Sequence, residues 1–271
     1  MKINYFIPFL LVALCLVMGS CLSDDMENRG MGTLDLQVTP AASFSALQSR
    51  AADLSAYGNT SNYRLKITEK TAGAVVFEGT VGSLTGDKNQ FKAGAYDLTV
   101  SFGEAAVATQ GNFYVEGKTS FQVTSQQVKD GTPASAQVTC SPKCAKVNVN
   151  FGSKMAEYFS DYYVTYQTAA LTQHQQSAVW GKSTVDPWYL QVQENEVVTA
   201  IIHVVRKSDG KWTEVTRTQP LADGKAWTLN IDAEEPTEPE VEEGKIELVI
   251  TIDERTNDKQ ETIVVPNEWW M

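Results

Sequence analysis
Gly94-Ala95-Tyr96-Asp97-Leu98-Thr99-Val100-Ser101-Phe102 alternates apolar and polar side chains along most of its length. A period of two marks a half-buried strand; an amphipathic helix would place its apolar residues three and four apart. The same reading extends outward on both sides. Upstream lie Ala74 to Val81, Tyr63-Arg64-Leu65-Lys66-Ile67-Thr68, and Thr33-Leu34-Asp35-Leu36-Gln37-Val38, closed by Pro40. Downstream lie Asn112 to Val115, Thr119 to Thr124, and Ala134 to Cys140 behind an Asp130-Gly131 turn. About seven short strands with turn residues between them predict a β-sandwich. Ala41 to Asn62 differs, because Phe44, Leu47, Ala51, Leu54 and Tyr57 recur at three and four. That spacing predicts a short helix or ordered loop ending near Gly58-Asn59.

A second module opens at Lys146-Val147-Asn148-Val149-Asn150-Phe151. Met155 to Phe159 reads as one helical turn, and Tyr162 to Gln167, Ala178 to Trp180 and Trp188 to Gln193 read as strands. Val197 to Lys207 and Trp212 to Arg217 flank Ser208-Asp209-Gly210-Lys211, a hairpin signal. Asp223-Gly224 leads into Ala226 to Ile231. Asp232 to Glu243 holds seven acids, two prolines and no base, the composition of an extended, solvated linker. Lys245 to Ile252 and Glu261 to Val265 alternate around Arg255-Thr256-Asn257-Asp258 and form one hairpin. An isolated hairpin is marginal in water, so it must dock on its own chain or on another.

The fold expected is therefore all-β: two tandem antiparallel β-sandwich domains plus a C-terminal β-hairpin. The division is 1–20 signal peptide, 21–31 tether, 32–144 and 145–231 sandwiches, 232–244 acidic linker and 245–271 hairpin.

The first residues supply an address. Lys2 precedes an apolar run from Ile3 to Met18, and Gly19-Ser20 sit before Cys21. That is the order of a secretory signal, and the cysteine at the cut resembles a bacterial lipobox, which assigns a lipid to Cys21. Two or more acyl chains anchor stably where one does not. The apolar run is short for a membrane span. Leu22-Ser23-Asp24-Asp25-Met26-Glu27 then resembles the export signal that carries lipoproteins to the outer face of the outer membrane. The mature chain would be residues 21–271, 251 in all, and losing Lys2 takes the formal charge from −11 to −12. Such a chain repels phosphates, which excludes nucleic acid as a partner.

Four cysteines are present. With Cys15 in the signal and Cys21 lipidated, Cys140 and Cys144 remain as a candidate local disulfide or as free thiols. No metal site is expected, because the only histidines, His174 and His203, are not grouped with this pair. His203, between Ile201 and Val205, reads as a core histidine on an apolar strand face, and His174 as a loop residue. No G-x-S-x-G, no H-E-x-x-H and no phosphate-cradling glycine loop occurs, so no catalytic residue and no cofactor is assigned.

The candidate contacts are aromatic. Trp180 and the Trp188-Tyr189 pair flank the loop from Gly181 to Pro187, and Trp269-Trp270 stand near the last residue. Exposed rings stack on sugar faces, so these five are the candidate glycan or partner contacts.

Gly32 to Leu36, Tyr63 to Ile67, Ala93 to Val100, Val138-Thr139-Cys140 and Ala145 to Phe151, in that order behind a lipobox, resemble a Bacteroidota-type surface lipoprotein family known only as a domain of unknown function. In general design that family is similar to fimbrillins and their anchors and tips, which carry two transthyretin-like sandwich domains in tandem. The resemblance implies a non-catalytic structural or adhesive role as an accessory, anchor or tip subunit of a fimbria-like assembly, with the last hairpin available to complete a neighbour's sheet. Arg50 is then a conceivable processing point. The alternative role is glycan binding in service of a polysaccharide uptake system.

Overall fold
The computed structural model describes residues 30–44, 54–234, 246–252 and 259–265, with Glu234 and the last two stretches by backbone alone. Cys21, Arg50, Trp269, Trp270 and most of the acidic linker lie outside the described residues.

Strands dominate. In the first half β2 (Arg64–Glu69) lies between β3 (Val75–Thr80) and β4 (Gly94–Phe102), and β6 (Val115–Val123) pairs with the far side of β4. All of these pairs are antiparallel. The alternation puts Leu65, Ile67, Tyr96, Leu98, Val100, Phe121 and Val123 inside. β1 (Leu34–Pro40) and β7 (Ala134–Pro142) form a parallel ribbon, in register from Leu34–Ala134 to Pro40–Cys140. The ribbon joins β6 through only two pairs, Val115–Pro142 and Glu116–Ser141. Beyond that corner the two backbones approach closely at Gly117. A methyl group there would stand 2.4 Å from the Thr139 carbonyl oxygen.

The sequence suggests two strands around Gly117-Lys118, but one strand runs through. Gly117 keeps its extended conformation and lacks a side chain because β7 occupies that space. The Asp130-Gly131 turn is the end of a helix, α2 (Ser125–Asp130), the first being α1 (Ser55–Gly58). Thr124 and Gln127 form a capping box at the start of α2, and Gly131 closes it at φ 65°.

The second half is a pair of facing sheets. β9 (Phe159–Gln167) lies between β10 (Ala178–Gly181) and β12 (Glu196–Arg206), and β13 (Trp212–Leu221) follows β12. The opposite sheet has β8 (Ala145–Phe151) at its centre, between β14 (Ala226–Glu234) and β11 (Trp188–Leu190). The β8–β14 pair is parallel, from Ala226–Lys146 to Ile231–Phe151. Val147, Val149, Trp227, Leu229 and Ile231 on one side meet Val164, Tyr166, Ala200, Ile202 and Val204 on the other. Two short helices, α3 (Met155–Tyr158) and α4 (Ala169–Gln173), bracket β9.

Antiparallel pairing is thus the rule, and β1–β7 and β8–β14 are the parallel pairs. A parallel pair needs a long return connection, and in each case most strands of that half lie between the two partners in sequence. The buried residues form two clusters that change over between Cys144 and Ala145.

Two features tie the halves together. β5 (Ala108–Thr109) lies on the excursion between β4 and β6, yet it pairs with β11 as an edge of the second half's sheet. Tyr189, on β11, is buried in the first core. The C-terminal hairpin, β15 (Ile246–Ile252) and β16 (Lys259–Val265), continues the same sheet from its other edge. β15 pairs with β14 of its own chain from Leu229–Ile252 to Glu234–Glu247. The expected linker therefore begins as the end of a strand.

Candidate functional site
The structure corrects the aromatic platform. Trp180 is 4% exposed and Tyr189 is 2% exposed, so neither ring offers a face to a sugar. Trp188 is half-buried and donates its indole N–H to the Val179 carbonyl at 3.0 Å. Adjacent strand residues point to opposite faces. Trp188 therefore packs on the second core while Tyr189 enters the first. The flanking loop does border a cavity of about 320 Å³, which Trp180, Asn148, Asn150, Lys182 and Thr184 help to line. Its polar groups are already engaged with the protein. Asn150 donates to Asn230 at 2.8 Å, Asn148 to Thr228 at 3.3 Å, and Lys182 stands 3.1 Å from Asp161.

Cys140 and Cys144 are free thiols, and the candidate disulfide is not formed. The chain directs them apart. Cys140 donates to the Val100 carbonyl at 3.6 Å beneath β4. Cys144, in the turn between β7 and β8, lines a cavity together with Tyr189. Burial pushes the Cys140 thiol up to about 11 and the Cys144 thiol to about 12, with Glu116 and Asp223 respectively adding to the effect.

His203 shares a face with Ile201 and Val205 as expected, but that face is the outer one. Val198, Ala200, Ile202 and Val204 are the buried set on β12. Tyr163 stacks on the His203 ring at 4.3 Å, and Glu214 lies 3.0 Å from its Nδ1. The neighbouring ring and carboxylate hold it there, not an apolar core. His174 is exposed at the end of α4. Among the described residues, no group of three His, Cys, Asp or Glu is placed to hold a metal.

A second concavity lies where the halves meet, and residue patterns give no signal for it. The excursion from Gly103 to Tyr114 leaves β4, adds β5 to the second half's sheet and returns to β6. Two cavities adjoin along it, about 230 Å³ and 430 Å³, with Glu104, Ala106 and Thr109 lining both. Its inner wall is aromatic. Phe113 stacks on Tyr57 at 4.5 Å and packs against Tyr189 at 4.7 Å, and Phe102 stacks on Tyr63 at 5.0 Å. Tyr57 donates to the Phe113 carbonyl at 2.9 Å, and Tyr63 to the Tyr57 carbonyl at 2.9 Å.

Charge at this wall is balanced. Glu116 accepts from Tyr114 at 2.9 Å and pairs with Lys118 at 2.8 Å. Burial works against its ionised form, but those two partners hold the carboxyl below the usual range. Lys143 faces Asp223 at 3.8 Å. The Tyr189 hydroxyl has no partner among the described residues, and burial, with Cys144 and Asp186 nearby, pushes it up to about 12. The aromatic wall, balanced charges and unpaired hydroxyl suit binding rather than proton transfer.

Fold and cleft together define an all-β, multi-sheet protein joined through a lined cleft. The chain belongs to the family described as a domain of unknown function (DUF4493), whose model matches residues 30–267. No curated protein matches it. Among solved structures it is similar to a candidate cell adhesion protein from Bacteroides eggerthii, at 12% identity and TM-score 0.43, covering 83% of this chain and 95% of that one. A candidate adhesin from Bacteroides ovatus aligns at 9% identity and TM-score 0.44, covering 85% and 95%. A candidate cell adhesion protein from Bacteroides ovatus aligns at 13% identity and TM-score 0.40, covering 88% and 100%.

Proposed function
We propose that this protein is a non-catalytic cell-surface lipoprotein, held to the outer membrane by lipid on Cys21 and facing the exterior. Its role is structural and adhesive, as an accessory, anchor or tip subunit of a fimbria-like assembly. The observation that carries this reading is the attachment of the last hairpin. β15 and β16 extend the sheet from β14, and β14–β15 register covers only Leu229–Ile252 to Glu234–Glu247. An element added at a sheet edge can be given to the same edge of a neighbour, because strand addition uses main-chain groups that every copy presents.

Asn230 and Thr251 are register partners across this border. In cells expressing N230C/T251C, oxidation should give a ladder of disulfide-linked oligomers at the cell surface. A product crosslinked only within one chain overturns the assembly role. Labelling with an alkynyl fatty acid, lost in Cys21→Ala, tests the anchor separately.

A further inference from the structure
We propose that the cleft between the two cores binds an uncharged oligosaccharide, with Asn62, Arg64 and Asn112 hydrogen-bonding its hydroxyls and Tyr189 closing the inner end. The cleft is a different place from the loop beside Trp180, and the inference does not depend on the hairpin or on assembly.

Size and position come first. The adjoining cavities, about 230 Å³ and 430 Å³, share three lining residues and sit at a junction between cores. Small-molecule sites are commonly a few hundred Å³, roughly 300–1,000, and favour such junctions.

The wall chemistry selects the ligand. Asn62, Arg64 and Asn112 are exposed residues that line the outer cavity, and their side chains have no hydrogen bond or ion pair among the described residues. Two amide residues and an arginine, all exposed, thus border one opening that Phe102 also lines. Amides both donate and accept, which matches hydroxyl groups that do the same. Of the rings along the cleft, half-buried Phe102 is the one able to meet the CH face of a pyranose.

An ion fits less well. A carboxylate or phosphate entering the cleft meets Glu104 and Glu116, and an organic cation meets Arg64 and Lys143. At the inner end Tyr189 is 2% exposed with an unpaired hydroxyl. That hydroxyl is closed to solvent, so Tyr189 serves as the inner wall of the cleft and not as a hydrogen-bonding contact.

Saturation-transfer NMR on the full mature chain tests this with neutral trisaccharides of glucose, mannose, galactose and N-acetylglucosamine, and with a trigalacturonate. At least one neutral member should bind. Arg64→Ala and Asn112→Ala should each weaken it about tenfold at unchanged unfolding midpoints. No transfer from any neutral trisaccharide overturns the proposal. So does binding confined to trigalacturonate, or binding undiminished by both Arg64→Ala and Asn112→Ala.

Discussion

Adding one methyl group at Gly117 should unfasten the ribbon of β1 and β7 from its sheet. The new carbon would lie 2.4 Å from the Thr139 carbonyl oxygen, 2.6 Å from Val138 Cγ2 and 2.9 Å from the Thr139 carbonyl carbon, where ordinary contact begins near 3.4 Å. Val138 could turn aside, but the Thr139 backbone cannot. It is fixed by the parallel ladder to β1, in which Thr39 and Thr139 are partners. The strands must therefore separate by about 1 Å, and overpacking of this kind costs about 1–3 kcal/mol. Because the obstacle is backbone, the upper part of that range applies, offset by about 0.5–1 kcal/mol from the stiffer unfolded chain. The net for Gly117→Ala is a loss of about 2 kcal/mol, or a melting point lower by roughly 4–8 °C.

The control is the same chemical change at Gly58, at the exposed end of α1, where a methyl meets nothing within 4 Å. Gly58→Ala should stabilise by up to about 1 kcal/mol. Urea unfolding and calorimetry of the two variants decide the matter. If Gly117→Ala lies within about 0.5 kcal/mol of the parent, the close crossing of β6 and β7 is not what shapes this corner.

Three further outcomes follow from the same geometry. Tyr189→Phe should raise stability by about 1 kcal/mol, since it removes a buried hydroxyl without a partner; a loss in urea melts would show that the hydroxyl is satisfied. In a Cys21→Ser chain, Cys140 and Cys144 should resist a thiol reagent at pH 8 and react fully in urea, because burial pushes them to about 11 and 12; fast labelling of the folded protein would contradict this. Asp209 accepts from Arg206 at 3.0 and 2.6 Å, which holds its carboxyl down to about 2. A carboxyl depressed in the folded state stabilises fully above its ordinary value, near 4, and loses that contribution as pH falls toward 2. Asp209→Asn should therefore narrow its stability gap to the parent between pH 4 and pH 2, as read by urea midpoints; a gap constant with pH argues against the pairing.

Much of the strand pattern was legible because alternation is local. Tyr96, Leu98 and Val100 stand at every second position and are 4%, 1% and 0% exposed. The hairpin of β12 and β13 announced itself through Asp209-Gly210, and Gly210 takes φ 72° there. The changeover between cores at Cys144 falls where the strand pattern restarts. Chemistry across strands was less accessible. Trp180 and Tyr189 looked exposed because they flank a polar loop, yet sequence does not say which face of a strand a second layer will cover. The sequence suggests a buried His203 for the converse reason: its neighbours Ile201 and Val205 are apolar, but the inward side of β12 is the other one.

By itself, then, the sequence determined the all-β class, most strand positions and the stretches that turn, because these depend on residues a few positions apart. Only the tertiary structure decided which strands run parallel, why Gly117 must lack a side chain, and that the thiols of Cys140 and Cys144 face different neighbours. It alone placed β5, two residues long and without a pattern of its own, in the other half's sheet beside Tyr189. The cleft arises from that crossing. Its walls come from Asn62 and Arg64, from Asn112 and from Tyr189, three places far apart along the chain. No local period records such a meeting, because it is fixed by how two packed cores close against each other.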